Sequence, residues 1–328
     1  MGIVYSIIIP HKNIPNLLQR CLDSIPERND LEVIVVDDNS DPNIVDFEHF
    51  PGLGRKNTSV YLDKSGKGAG RARNIGLEHA CGKWLLFADA DDFFNYCIRD
   101  ILDEYKDDDA DIIFFSTSSV DCETYNNDGR TQYVWDFIST FIDNPQKGEN
   151  ILRYVLGSPW AKMLKRSIVT ENGITFQEST INNDARFSCQ TGFYAKEIKA
   201  DKRALYCVTR RGGSIQYSLT EEKILESVDI LAARYIFLKK HDVVLPFSIV
   251  WGGREYIERL VDVKCTGNEP LYAKCMQIVT AYGVSEIETE TIVKEELKKR
   301  KRIRRDDWPS RIRDRVALRT RLRKLFGK

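Results

Sequence analysis

The chain has 328 residues, 42% hydrophobic and 30% charged, with a formal net charge of zero, an ordinary globular profile with room for one large domain and an appendage, or for two domains. No apolar run approaches the roughly 20 residues that span a bilayer, and "MGIVYSIIIPHKN" lacks the basic leader and small-residue cleavage site of a signal peptide. The eight cysteines include no CxxC pair, which argues against a zinc site or a disulfide framework and for free thiols in a reducing compartment.

The neutral total conceals an asymmetry. Residues 294–328 carry sixteen Lys/Arg and five Asp/Glu, a local balance of +11, which leaves −11 on the remainder. An acidic body with a basic tail predicts an anionic partner for the tail.

In chain order, "VYSIIIP" (4–10) is β-branched, apolar and stopped by proline, and reads as a buried strand. Leu17, Leu18, Cys21, Leu22 and Ile25 recur at helical spacing over 13–25. "LEVIVVDDNSD" (31–41) reads as a second strand ending in acidic and turn residues, and "TSVYLD" (58–63) as a short third. "GAGRARNIGLEHACG" (68–82) is a glycine-rich entry into a helix closed by Gly82. "KWLLFADADD" (83–92) reads as the fourth strand and "ADIIFFSTS" (110–118) as the fifth. Residues 119–131 are polar and turn-rich, a surface hairpin or loop. Order resumes at "SPWAKMLKRSIV" (158–169), and "RALYCVTRRGGSIQYS" (203–218) reads as a strand followed by a glycine turn. Beyond 220 the pattern is helical, with Ile224, Val228, Leu231, Tyr235 and Leu238 on one stripe. Continuous apolar strands alternating with helices predict an α/β protein whose mostly parallel sheet is covered on both faces.

Ligands of an open α/β sheet bind outside the carboxyl ends of its strands. Three such ends carry distinctive polar groups: "PHKN" (10–13), "DDNSD" (37–41) and "ADADD" (88–92). If the extended conformation persists, Asp89 and Asp91 point the same way and Asp92 the other. Two like-facing carboxylates suit a hard divalent cation, Mg²⁺ or Mn²⁺, whose other positions go to water and phosphate oxygens. Asp37 and Asp38 are able to accept hydrogen bonds from a nucleoside base or ribose, although such a run also caps turns. The helix beginning near Gly70 presents amides to an anion, with Arg71 and Arg73 close by. "SGKGAGRARN" matches neither GxxxxGK[ST] nor GxGxxG and follows the third strand, not the first. A P-loop or nicotinamide site is therefore not expected.

"SIIIPHKN", "VIVVDDNSD", "GAGRARNIGLEHACGKWLLFADADD", "SPWAKMLKRSIV", "TINNDARF" and "RRGGSIQYS" occur in the order and spacing of the family 2 glycosyltransferases. Over roughly residues 3–218 the chain resembles that family, most closely its bacterial members in capsule, O-antigen and exopolysaccharide assembly. The resemblance implies a GT-A fold, a mostly parallel sheet flanked by helices, with a C-terminal helical extension. It implies an inverting, metal-dependent enzyme that uses Mn²⁺ or Mg²⁺. The group moved is a hexosyl or N-acetylhexosaminyl unit, passed from a UDP-sugar to a growing surface glycan or lipid-linked saccharide. By that resemblance Asp38 contacts the uracil, with Pro10 and His11 lining the base pocket, and Arg73 belongs to the donor-site helix. Asp89 and Asp91 form the DxD pair, Asp91 being the more direct metal ligand, and no third protein ligand is assigned. Asp184 is the catalytic base. Arg210 and Arg211 belong to the segment that closes over the donor and would meet its diphosphate. One departure stands out. Relatives commonly carry Glu before the base, where this chain has Asn183, and a neutral neighbour raises an Asp pKa less than a carboxylate does. Glu178 is the second candidate for the base.

The implied division is 1–118 for the nucleotide-sugar half, 119–218 for the acceptor half, 219–297 for a helical region and 298–328 for the basic tail. In the tail Ile312, Val316, Leu318, Leu322, Leu325 and Phe326 occupy about half of a helical wheel, interrupted by Arg315, Arg319 and Arg323. Each Lys or Arg contributes about 1 kcal/mol at an anionic membrane. The tail is thus expected to hold the protein peripherally at the cytoplasmic face of the cell membrane, and no nucleic-acid partner is expected. Two alternatives remain. A catalytically silent nucleotide-binding subunit of a polysaccharide assembly would bind UDP yet tolerate loss of Asp184. A sugar-phosphate nucleotidyltransferase would show a glycine-rich phosphate loop where this chain has "PHKNIPN".

Overall fold

The computed structural model describes residues 2–211 and 220–303, and the chain divides into two units, Met1–Gly212 and Gly213–Lys328. The first unit is built on β1 (Tyr5–His11), β2 (Leu31–Asp38), β3 (Thr58–Asp63), β4 (Trp84–Phe87), β5 (Phe93–Phe94), β6 (Ile112–Asp121), β7 (Lys162–Lys165) and β8 (Ile198–Arg210). They form one sheet in the order β3-β2-β1-β4-β7-β6-β8-β5. From β3 to β4 every pairing is parallel. Beyond β4 the sheet is mixed: β7 runs antiparallel to both β4 and β6, β8 is parallel to β6, and β5 is antiparallel to β8.

Alternation along the strands divides the core between the two faces. Tyr5, Ile7 and Ile9 of β1, with Val33 and Val35 of β2, pack beneath Leu18 and Leu22 of α1 (Pro15–Asp23) and Ile98 and Ile101 of α2 (Ile98–Glu104). On the other face Ile8, Ile34, Val36, Leu85 and Phe87 pack with three further helices. These contribute Ala72 from α3 (Ala69–His79), Val134 and Ile138 from α4 (Gln132–Asp143) and Phe187 from α5 (Ala185–Tyr194). Pro10 fits the centre of the sheet for a local reason. The Ile8 carbonyl accepts from Ala88 N at 3.1 Å, so even-numbered β1 residues face β4. The β1–β4 pairs end at Ile8 opposite Phe87, and the N–H that Pro10 lacks has no partner to lose.

The strands at 4–10, 58–63 and 110–118 and the helix opening near 68 form close to their expected bounds. The fourth does not. It ends at Phe87, Asp89–Asp92 close a turn through Asp92 N to the Asp89 carbonyl at 3.0 Å, and Phe93–Phe94 start a separate strand. The 119–131 segment folds back on itself through the Val120–Asn127 bridge. The glycine turn expected at 212–218 lies outside the described residues.

In the second unit α6 (Glu221–Lys240) is capped by the Thr220 hydroxyl, which accepts from Lys223 N at 3.3 Å. Its stripe, Ile224, Val228, Leu231, Tyr235 and Leu238, is buried as its spacing predicts. It packs with α7 (Tyr256–Thr266) and α8 (Glu269–Ala281). The last described helix, α9 (Glu286–Ile303), continues past 298, and Arg300 in it donates to Asp262 at 2.8 Å. The basic run therefore begins inside a packed helix, and its amphipathic part, 310–328, lies outside the described residues. The eight cysteines are free thiols, and no helix among the described residues is long and apolar enough to cross a membrane.

Candidate active site

Helix α3 is the element on which the site is built, and each special residue of "GAGRARN" has a use. Gly68, at φ +91°, donates its N–H to Asp38 Oδ1 at 3.0 Å and turns the chain into the helix. Gly70 faces the segment before α5 so closely that a Cβ there would stand 1.9 Å from the Gln177 carbonyl oxygen. Asn74 pairs with the backbone of Phe176 in both directions, donating from Nδ2 at 3.0 Å and accepting from its N–H at 2.8 Å. Arg73, buried between them, lies 5.4 Å over the Phe176 ring and donates to Asn183 Oδ1 at 2.8 Å and Asp89 Oδ1 at 2.5 Å. The helix thereby fixes the approach to Asp184 and one carboxylate of "ADADD" with the same guanidinium.

Gly70→Ala is expected to destabilise the protein despite a helix-propensity gain of about 1 kcal/mol. The displaced partner is backbone, so overpacking should outweigh that gain and leave a net loss of about 1–2 kcal/mol. Thermal unfolding reads this as a Tm several degrees lower, and an unchanged Tm would contradict the close approach.

The turn at 88–92 separates its aspartates. Asp89 and Asp91 keep accessible side chains, 33% and 27% exposed, whereas Asp92 is buried. The expectation that Asp89 and Asp91 share a strand face is replaced by a turn that presents both to solvent and folds Asp92 inward. Asp91 Oδ2 accepts from Arg211 Nε at 3.0 Å. Asp92 Oδ1 accepts from Thr209 N at 2.6 Å, and burial together with repulsion from Asp89 and Asp91 pushes its carboxyl well above the usual range. Tyr206 closes the frame by accepting from Asp89 N at 2.7 Å.

His11 and Asp37 are struts. His11 is enclosed, with Nδ1 donating to Asp37 Oδ2 at 2.7 Å and Nε2 accepting from Ile14 N at 3.1 Å, so neither nitrogen is left for a ligand. His11 braces the loop that follows β1. Burial would raise the Asp37 carboxyl, but His11 and Ser40 hold it below the usual carboxylate range. Asp38, next along the strand, accepts from Gly68 N and from Lys12 Nζ at 3.0 Å each. Pro10 is buried at the end of β1.

Asp184 stands at the N-cap of α5, partly accessible. Burial pushes its carboxyl up, Arg73 pulls it down, and Asp89 adds repulsion. The elevation comes mainly from desolvation, so a carboxylate at 183 is not required for it. With Asn183 neutral, the Arg73 guanidinium forms its carboxylate ion pair with Asp89. Glu178 is less suited to the role. Partial desolvation would raise it, yet Lys67 at 3.2 Å and Arg71 at 3.3 Å hold it below the usual range. Arg211 reaches the cluster, while Arg210 stands opposite Asp121 in the β6–β8 ladder.

Sequence reading missed Arg20, Tyr206, Thr209 and Lys162. Lys162 Nζ donates to the Leu156 carbonyl at 2.6 Å, and burial lowers its ammonium to about 7 while Asp184 opposes the shift. Arg20, Tyr206 and Thr209 lie 71 or more residues along the chain from the groups they hold, and no local pattern marks them.

Among the described residues no cluster of three or more His, Cys, Asp or Glu forms a closed metal site. Two accessible carboxylates on one turn, Asp89 and Asp91, are instead an open, hard-oxygen donor set, which fits a divalent cation that takes its remaining ligands from water and phosphate.

The family described as "Glycosyl transferase family 2" matches residues 6–171. Glycosyltransferase GlyA of Streptococcus pneumoniae serotype 4 is 25% identical over 243 residues, 71% of this chain and 34% of GlyA. The glycosyltransferase YibD of Escherichia coli K12 is 26% identical over 213 residues, 61% of this chain and 60% of YibD. The chain thus spans about a third to three fifths of the length of these relatives. Among solved structures, Staphylococcus aureus TarS 1–349 in complex with UDP-GlcNAc aligns over 85% of this chain and 90% of its own, at TM-score 0.53 and 18% identity. The mannosyltransferase PcManGT of Pyrobaculum calidifontis, in complex with GDP-Man and Mn²⁺, aligns over 96% and 84%, at TM-score 0.51 and 14% identity. Those likenesses show the fold to be GT-A. With half of its length matched by the family, the chain belongs to glycosyl transferase family 2.

Proposed function

We propose that the protein is an inverting glycosyltransferase that moves a hexosyl or N-acetylhexosaminyl group from a UDP-sugar to a hydroxyl of a surface glycan or lipid-linked saccharide. The observation that carries this reading is Arg73, which ties the accessible carboxylate Asp89 to the segment that delivers Asp184. Asp91 and Asp89 would hold Mn²⁺ or Mg²⁺, which when bound neutralises charge developing on the diphosphate leaving group. Asp38, beside the turn into α3, would receive the uracil. Arg211 would exchange Asp91 for a phosphate oxygen. Asp184 would take the proton of the acceptor hydroxyl as that oxygen attacks opposite the leaving diphosphate, one displacement with inversion. The ligands named with the solved neighbours, UDP-GlcNAc in one and GDP-Man with Mn²⁺ in the other, support a nucleotide-sugar donor.

The test is UDP release from a panel of UDP-sugars with saccharide acceptors, followed by NMR of the product anomer. Transfer with the opposite anomeric configuration supports the reading. Retention would remove Asp184 as base, and nucleotide binding without any transfer would favour the silent subunit.

The basic tail is proposed to hold the protein to an anionic leaflet. Truncation after Ile303 keeps the Arg300–Asp262 pair and should release the protein from phosphatidylserine vesicles in sedimentation. Undiminished binding would reject the anchor.

A further inference from the structure

Arg20 belongs to none of the roles above, yet it joins three separate stretches of chain beside Asp91. From the last turn of α1, its Nη2 donates to the Asp91 carbonyl at 2.5 Å, an oxygen that also accepts from Thr209 Oγ1 at 2.5 Å. Its Nη1 donates to Tyr125 Oη at 3.2 Å. The guanidinium lies 5.2 Å from the centre of the Phe93 ring and 5.8 Å from that of Tyr125. Tyr125 is presented from the 119–131 segment at φ +57°, a left-handed conformation that a non-glycine residue adopts only when its surroundings hold it.

A carbonyl that takes one charge-assisted and one hydroxyl hydrogen bond is firmly oriented. Here the carbonyl belongs to the peptide between Asp91, which faces solvent, and Asp92, which faces inward. Fixing that peptide fixes which aspartate is offered to a ligand.

We propose that Arg20 is a positioning residue, which through the Asp91 carbonyl holds the 89–92 turn in the form that presents Asp91 and withdraws Asp92. The consequence for donor binding rests on the function proposed above; the effect on the turn does not.

The test uses the full chain as wild type, Arg20→Ala and Arg20→Lys, with two readouts. Amide hydrogen exchange of residues 88–95 without ligand reports the turn, and titration with UDP and Mn²⁺, followed by the Mn²⁺ spin-resonance signal, reports the site. In Arg20→Ala at near-native Tm, exchange over 88–95 should rise about tenfold, with other segments unchanged, and Mn²⁺–UDP affinity should fall about tenfold. Arg20→Lys keeps the charge but cannot bridge the Asp91 carbonyl and Tyr125 Oη together, and should fall between the two. Native protection at 88–95 in folded Arg20→Ala would overturn the proposal. If Arg20→Ala does not fold, Arg20→Lys takes its place, and unchanged protection there overturns the proposal equally. Faster exchange in a protein whose wild type binds no UDP with Mn²⁺ would uphold the role of Arg20 in the turn and reject the donor reading.

Discussion

Asp91→Ala is expected to lower metal-dependent transfer by about a hundred- to a thousandfold, the loss seen when one element of leaving-group charge stabilisation is removed. The 89–92 turn sets this expectation. Of its three aspartates, Asp92 is buried and engaged by Thr209 N, and Asp89 is shared with Arg73. Asp89 and Asp91 are both accessible, but Arg73, the partner of Asp89, is buried, whereas Arg211, the partner of Asp91, is itself part-exposed and exchangeable. Stability should hardly change, because an ion pair with this much exposure contributes little, on the order of 1 kcal/mol or less. Steady-state transfer at saturating Mn²⁺, with Tm recorded alongside, checks both parts. Loss of activity with a collapsed Tm would instead make Asp91 a structural residue.

Asp184→Asn should cut kcat by about 10²- to 10⁴-fold, the usual range for a positioned base, and leave UDP binding intact. Asn keeps the shape of Asp at the N-cap, so the approach through Asn183 and Arg73 stays in place. The pH profile gives an independent signature. A base acts ionised, and burial raises this carboxyl. Its ionised fraction is therefore lost earlier as pH falls, and the acid limb of kcat/KM should lie above the ordinary carboxylate range. A wild-type rate that is flat through weakly acidic pH would contradict the assignment. Full transfer by Asp184→Asn would do so directly.

The parts of this fold legible in the sequence are those encoded by neighbours. The centres of β1 and β2, "III" (7–9) and "VIVV" (33–36), are buried on both faces and wholly β-branched. The α6 stripe repeats at helical spacing over 15 residues, and its members are all buried. Composition and periodicity suffice in such places. They fail at the fourth strand, where "WLLF" and "ADADD" read as one continuous run. The turn is imposed from outside, by Tyr206 and Thr209 of β8, 117 and 118 residues away from the groups they hold. The same reason hides Arg20, which in sequence is one polar position on an amphipathic helix. The second half of the sheet is mixed because β7, four residues long, enters antiparallel between β4 and β6. No local pattern fixes the direction of so short a strand. In the site, motif order placed Asp38, Arg73, Asp89, Asp91 and Arg211 in one region but could not distribute their contacts. Only the tertiary structure shows that His11 is spent on Asp37 and Ile14, or that Arg73 is divided between Asp89 and Asn183.

The most direct measurement is thermal stabilisation by UDP and by GDP, each with and without Mn²⁺. A ligand at one hundred times its dissociation constant adds about 2.7 kcal/mol to stability, a clear shift in Tm. Stabilisation by UDP, enhanced by Mn²⁺, is expected, with Asp91→Ala losing the enhancement while keeping its own Tm. Stabilisation by neither nucleotide, or by UDP to the same extent with Mn²⁺ absent and with Asp91 replaced, would contradict the claim that this turn holds a diphosphate through a metal.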